Sequence, residues 1–335
     1  MPSKYMPPLL PLLIFFLLAA AFLSLGLGKY PLSPATVFNT LINPSVVLAM
    51  HYQVVWTIRM PRILSALLAG ALLALSGAAL QGVFHNPLVD PHVIGVTSGA
   101  AFGGTLAILL SAAYLLMMAS AFGFGLIALL LVYALARAFK QESNLILVLA
   151  GVILSGFFSA LVSLMQYLAD TETKLPGIVF WLMGSFATAD WRKLIFFAIP
   201  GLSAAIIMLR LRWRINVISM GDKDARTLGI DLKRAKWLIL IMCAMSVASQ
   251  VAVSGSIGWV GLVIPHFARI LAGVDHRRLL PAACVLGGIF MIIVDDIARM
   301  LTAAEIPPGI ITAIFGAPLF TLLLIRRSDR HSENI

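Results

Sequence analysis

Few side chains in this sequence could do chemistry inside an apolar medium. Asp295 and Asp296 lie at the end of a long uncharged stretch, with Arg299 one turn later. Asp295 and Arg299 are four apart, which on a helix brings acid and base together as a salt bridge. Within a membrane the same carboxylates also suit a proton or ion relay. Glu305, beside Pro307-Pro308, reads as interfacial. Ser143 and Asn144 follow Lys140-Gln141-Glu142 and open another apolar stretch, where either can cap a helix. The six histidines are scattered, and Cys243 and Cys284 sit inside apolar runs as small core fillers. No catalytic residue and no metal ligand set is expected. G-x-x-x-x-G-K-[ST] and H-E-x-x-H are both absent, so the chain does not bind ATP through a P-loop of its own.

The elements that must position these residues are apolar. Of 335 residues, 61% are hydrophobic and 11% charged. A soluble domain carries about 25% charged residues, so a soluble enzyme, a nucleic-acid binder or a disordered tail is excluded. The expected class is an all-α polytopic membrane protein. Charge-free stretches place spans at 6–28, 60–84, 92–110, 114–136, 144–169, 194–209, 237–253, 257–271, 279–297 and 306–325. The run 92–136 holds two helices with a turn near Ser111. The run 237–268 suits one full helix and then a short or broken one, split at Ser254-Gly255 and Gly258. Residues 175–189 are too short to cross and predict a re-entrant or interfacial helix. Residues 6–28 are long enough for a retained first helix rather than a signal peptide.

Charge sets the orientation. With ten spans and both termini in the cytoplasm, all of the 24 Lys and Arg but Lys29, Arg59, Arg62, Lys174, Arg192, Lys193 and Arg299 lie inside. The net charge of +10 is then a topology signal. One extended polar segment, residues 210–236, faces the cytoplasm. Its core NVISMGDKDARTLG, residues 216–229, predicts a short helix ending at Gly229. Such a loop either lies on anionic lipid or docks a partner.

Ala66, Gly70, Ala74, Ala78 and Gly82 make a stripe of small residues along one helix, suited to close packing within the subunit or to a dimer seam. His85-Asn86-Pro87-Leu88-Val89-Asp90-Pro91 predicts a turn in which Asn86 and Asp90 cap free backbone groups. Ser76-Gly77 ahead of Pro91-His92 is echoed by Ser254-Gly255 ahead of Pro265-His266. Spans two to five and seven to ten would run oppositely, the arrangement of inverted repeats.

Several stretches then converge. Ile58-Arg59-Met60-Pro61-Arg62 leads into LLAGALLALSGAALQGVFHNPLVDPHVIGVTSGAAFG at 67–103. LVLAGV follows at 147–152, GSIGWVGLVIPH at 255–266, Asp275-His276-Arg277, and EIPPGIITAIFGAP at 305–318. Together these resemble the permease subunits of the iron-siderophore, heme and cobalamin ATP-binding-cassette importers, from about residue 55 onward. The resemblance implies a single permease domain over 1–335 in a bacterial inner membrane, pairing with a second permease copy around a central path. It also implies two separate ATPase subunits carrying ATP and Mg, a periplasmic substrate-binding protein, no cofactor on this chain and no nucleic-acid partner. Met220, Gly221, Asp222, Ala225, Leu228 and Gly229 match the coupling motif that seats the ATPase. Arg59, Arg62 and Arg299 match outward-facing arginines that grip the binding protein. Ser143 and Asn144 match the inner gate. The implied cargo is a metal chelate, with a small oxyanion such as molybdate as the alternative. An ion-coupled secondary transporter using Asp295 or Asp296, and an intramembrane enzyme, are the rival classes.

Overall fold

The computed structural model describes residues 9–45, 47–139 and 144–332, and of residues 323, 324 and 326–332 the backbone alone. Every regular element among the described residues is helical. In chain order they are α1 (Leu9–Gly26), α2 (Pro34–Ile42), α3 (Ala49–Phe84), α4 (Val96–Leu109), α5 (Tyr114–Ala138), α6 (Asn144–Leu168) and α7 (Lys174–Leu182). Then come α8 (Trp191–Arg210), α9 (Arg212–Ile218), α10 (Asp222–Thr227), α11 (Leu232–Ser254), α12 (Val260–Ala272), α13 (His276–Met300) and α14 (Pro308–Ser332). Seven are long and apolar enough to cross a membrane, and three shorter apolar helices fall on the remaining stretches read from charge. The turn at Ser111, the short α7 and the break after Ser254 are all present.

The second span differs from its expected bounds. Charge ended it at Met60, yet α3 runs back to Ala49 through a π-helical segment, Gln53–Arg59. The arginines do not stop the helix because they are buried and bonded rather than solvated. α3 is the central column, buried along most of its length. It packs most extensively on α13, and also on α12, α11 and α8. The small-residue stripe makes the α3–α13 contact possible. A Cβ on Gly70 would lie 2.0 Å from the carbonyl oxygen of Gly287, and one on Gly287 would lie 2.2 Å from that of Gly70. Backbones this close exchange van der Waals contact that larger residues would forbid. The stripe is therefore an internal seam, not a dimer surface.

Element lengths repeat. Met60–Phe84, α4, α5 and α6 span 25, 14, 25 and 25 residues; α11 to α14 span 23, 13, 25 and 25. In each set a left-handed residue, Gly95 or Trp259, immediately precedes the short helix. α3 ends, and α11 begins, at the end of the bundle that carries the 210–236 loop, so the two sets run oppositely. At the other end of α11, Gly255 adopts φ +70, and a Cβ there would stand 2.0 Å from the Trp181 carbonyl. Ser185 N donates to Ser254 O at 2.8 Å, so the turn after α7 is seated on this break.

Candidate functional site

The charged side chains gather at two ends of the bundle. At the loop end, α9 and α10 form a compact bracket. Ile215, Val217 and Ile218 of α9 are buried, and the His85 ring is hydrogen-bonded to Ile218 O at 2.6 Å. Asn216 Oδ1 accepts from His276 N at 2.8 Å, which caps α13. The loop is thus fastened to the last residues of α3 and the first of α13. Asp275 caps α13 too, accepting from Arg277 N at 2.9 Å, and its bonds to the Arg277 side chain hold its carboxyl below the usual range.

α10 has only six residues, too few to be stable alone. Its geometry comes from its ends and its seat. Gly221 enters it with φ +141, a conformation open mainly to glycine. Asp222 and Asp224 stand at the positive end of its dipole and Arg226 at the negative end. Gly229, at φ +77, reverses the chain, and Ile230 N donates to Ala225 O at 3.1 Å. Ala225 is fully buried, while Met220 and Leu228 are 67% and 59% exposed. Two large apolar side chains thus project from the two ends of the helix. Beside them opens a cleft of about 360 Å³ lined by Trp213, Arg214, Leu228, Ile230, Arg234 and Leu238. Among the predicted coupling residues, Asp222 and Ala225 hold the helix down, Gly221 and Gly229 shape it, and Met220 and Leu228 are presented outward.

Asn144, the first residue of α6, stands at this same end. Its Nδ2 donates to Val83 O at 3.4 Å, and its Oδ1 accepts from Lys236 Nζ at 3.1 Å. Lys236 Nζ also lies 2.9 Å from Asp222 Oδ2. The predicted gate position and the predicted coupling helix therefore share one lysine, which sequence reasoning counted only as a basic loop residue. Ser143 lies outside the described residues.

At the opposite end the structure corrects an expectation. Arg59, Arg62 and Arg299, expected to face outward, are only 5%, 7% and 5% exposed. Arg62 Nε lies 2.9 Å from Asp295 Oδ2, and its Nη1 lies 3.0 Å from Glu305 Oε2. Arg299 pairs with Asp296, three residues back, and donates to Ser24 O at 2.6 Å. The expected Asp295–Arg299 bridge is replaced, because Asp295 is taken by Arg62 from α3. Arg59 donates to Leu25 O and Tyr30 O, both at 2.6 Å. A buried guanidinium needs acceptors on every side; α1, α13 and the segments that follow them supply them to Arg59 and Arg62 of α3 and to Arg299. The geometry supports a clamp of these three helices. The carboxylates that could have served as an ion relay are committed to arginines.

Among the described residues no group of three or more His, Cys, Asp or Glu could hold a metal ion. Fold and site together define a multi-pass membrane subunit built around two oppositely running helix sets, with a rigid bracket at one end. The chain belongs to the FecCD transport family, whose model matches residues 16–326, and is an ATP-binding-cassette importer permease. It is 50% identical over 328 residues, 97% of each chain, to the molybdate import system permease protein MolB of Haemophilus influenzae. It is 34% identical over 333 residues, again 97% of each, to the hemin transport system permease protein HmuU of Yersinia pestis. A solved metal-chelate type ABC transporter in an inward-facing conformation superposes with a TM-score of 0.87 at 49% identity, covering 96% of this chain and all of that one.

Proposed function

We propose that this chain forms the membrane path of an importer for a small oxyanion such as molybdate, with ATP hydrolysed on separate subunits. Two ATPase subunits, carrying ATP and Mg, seat on the α10 brackets of two permease copies in a bacterial inner membrane. A periplasmic binding protein delivers cargo at the arginine end. The observation that carries the transport reading is the bracket: exposed Met220 and Leu228 at the two ends of the short α10, with α9 fastened toward α3 and α13 and α10 bound to α11. A fixed helix with apolar knobs suits insertion into a partner's cleft and rigid transfer of that partner's motion. The oxyanion reading is supported by the molybdate relative, 50% identical along nearly the whole chain, against 34% for the hemin relative.

On this reading, both termini are cytoplasmic, the whole of 1–335 is one permease domain, and residues 210–236 are its coupling loop. Ser143 and Asn144 gate the path from within. Docking by Arg59, Arg62 and Arg299 proceeds by exchange, acidic groups of the binding protein taking over from Asp295, Asp296 and the carbonyl acceptors.

The test is uptake by vesicles containing the permease, its ATPase and its binding protein. Radiolabelled molybdate should accumulate only with internal ATP and with the binding protein outside, and tungstate should compete. A metal-chelate cargo is the second reading, favoured by the metal-chelate type structure that superposes so closely. Uptake of a ferric chelate, hemin or cobalamin in place of molybdate would replace the oxyanion reading with it. Uptake by the chain alone, driven by a proton or sodium gradient, would overturn the ATP-driven reading.

A further inference from the structure

Four elements meet at Lys236. The side chain leaves the second turn of α11 and is only 12% exposed, unlike a loop lysine directed to lipid or water. Its Nζ reaches Asp222 Oδ2 on α10 at 2.9 Å and Asn144 Oδ1 on α6 at 3.1 Å. Asn144 in turn donates to Val83 O, on the last turn of α3. The other oxygen of Asp222, Oδ1, is buried with no hydrogen-bond partner among the described residues. Lys236 is therefore the side chain that binds this carboxylate, through Oδ2. An ammonium has three donors on a flexible stem, so it can follow two acceptors that move relative to each other.

We propose that Lys236 is the positioning residue that transmits movement of α10 to the start of α6. It holds Asn144 when Asp222 is in the arrangement seen here, and releases or drags it when a partner on α10 displaces Asp222. α9 is tied toward α3 and α13, and Lys236 is a hydrogen-bonded route from the coupling helix to the helix that opens with the gate residue. This inference rests on the reading of α10 as the ATPase seat.

The experiment uses the assembled complex of two permease copies, ATPase and binding protein in vesicles. It reads cargo imported per ATP hydrolysed and, with spin labels on α10 and on the first exposed turn of α6, the distance change on adding ATP. Lys236→Met should lower the import-to-hydrolysis ratio about ten-fold, the scale of losing one charge-assisted hydrogen bond. It should also uncouple the two labels, so that α10 moves and α6 does not. Lys236→Arg should restore both readouts at least in part. Asn144→Ala should match Lys236→Met, and the double variant should be no worse than either alone, as expected of residues in one link. If Lys236→Met does not assemble, Lys236→Gln and Asn144→Ala, read the same way, decide the matter. A ratio within about two-fold of wild type, with labels still moving together, would overturn the link while wild-type uptake upholds the transport reading. Absence of ATP-driven uptake by the wild-type complex would instead overturn that reading.

Discussion

Arg62 and Asp295 show what a single buried charge demands. Their bidentate contact, with Nε and Nη2 both donating to the carboxylate, is shielded from water by α1, α3 and α13. Removing one partner leaves the other charged and desolvated, a loss of about 3–5 kcal/mol, whereas removing both with apolar replacements is close to neutral. Arg62→Met or Asp295→Leu alone should therefore lower the thermal unfolding midpoint in detergent clearly. The double variant should recover most of it, and equal losses from all three would show that the pair carries no buried charge. Gly70 makes the matching steric case. Even a methyl group would meet the Gly287 carbonyl at 2.0 Å, so Gly70→Ala must part α3 from α13. We expect a loss of about 1–3 kcal/mol, as for other overpacked cores, with Ala78→Gly as the mild control. A Gly70→Ala midpoint equal to wild type would contradict the seam.

At the scale of elements, α10 is the instructive helix. Six residues do not form a helix unaided, so sequence determined its termini and tertiary contacts determined its persistence. Ala225 is the seat: it is fully buried. Ala225→Leu should lift α10 off its support and weaken attachment of the ATPase, measured by co-purification from detergent. Gly229→Val should act more gently through backbone strain, since φ +77 costs a β-branched residue roughly 1–2 kcal/mol while nothing stands within 4 Å of the added Cβ. Loss of attachment for Gly229→Val but not for Ala225→Leu would reverse the assigned roles. The break between α11 and α12 obeys the same logic. Gly255 and the left-handed Trp259 end one helix and begin another, and α7 packs on the gap.

For the whole molecule, the partition of charge was legible before any coordinates, and the structure gathers the two sets at two ends. Asn144, Lys236, Asp222, His276 and Arg277 lie at one, and Arg59, Arg62, Lys29 and Arg299 at the other. Accessibility tests the proposed orientation. A Cys at Thr227 should react with an impermeant maleimide only in opened cells, and a Cys at the exposed Phe38 of α2 should react in intact spheroplasts. Labelling of both from one side would refute the orientation. Cys243 is buried and does not compete; Cys284→Ala removes the other native thiol.

Periodicity and charge were enough to place ten apolar stretches, the short helix of 175–189, the break after Ser254 and the helix ending at Gly229, because each depends on local composition: length without charge, or a glycine where only glycine fits. The family resemblance turned three arginines outward, and the local reading truncated α3 at Arg59. The acceptors that permit their burial lie on other helices, Asp295 being far along the chain from Arg62. It likewise paired Asp295 with Arg299 by spacing, where folding brought a better-placed guanidinium. The small-residue stripe announced a close contact but not its partner, which Gly287 supplies. Lys236 was visible only as one more basic residue of a cytoplasmic loop. Sequence determined which segments are apolar enough to leave water, since solvation acts residue by residue. Which charges meet, and hence what Lys236 and the arginines can do, was decided only when helices distant in the chain were packed side by side.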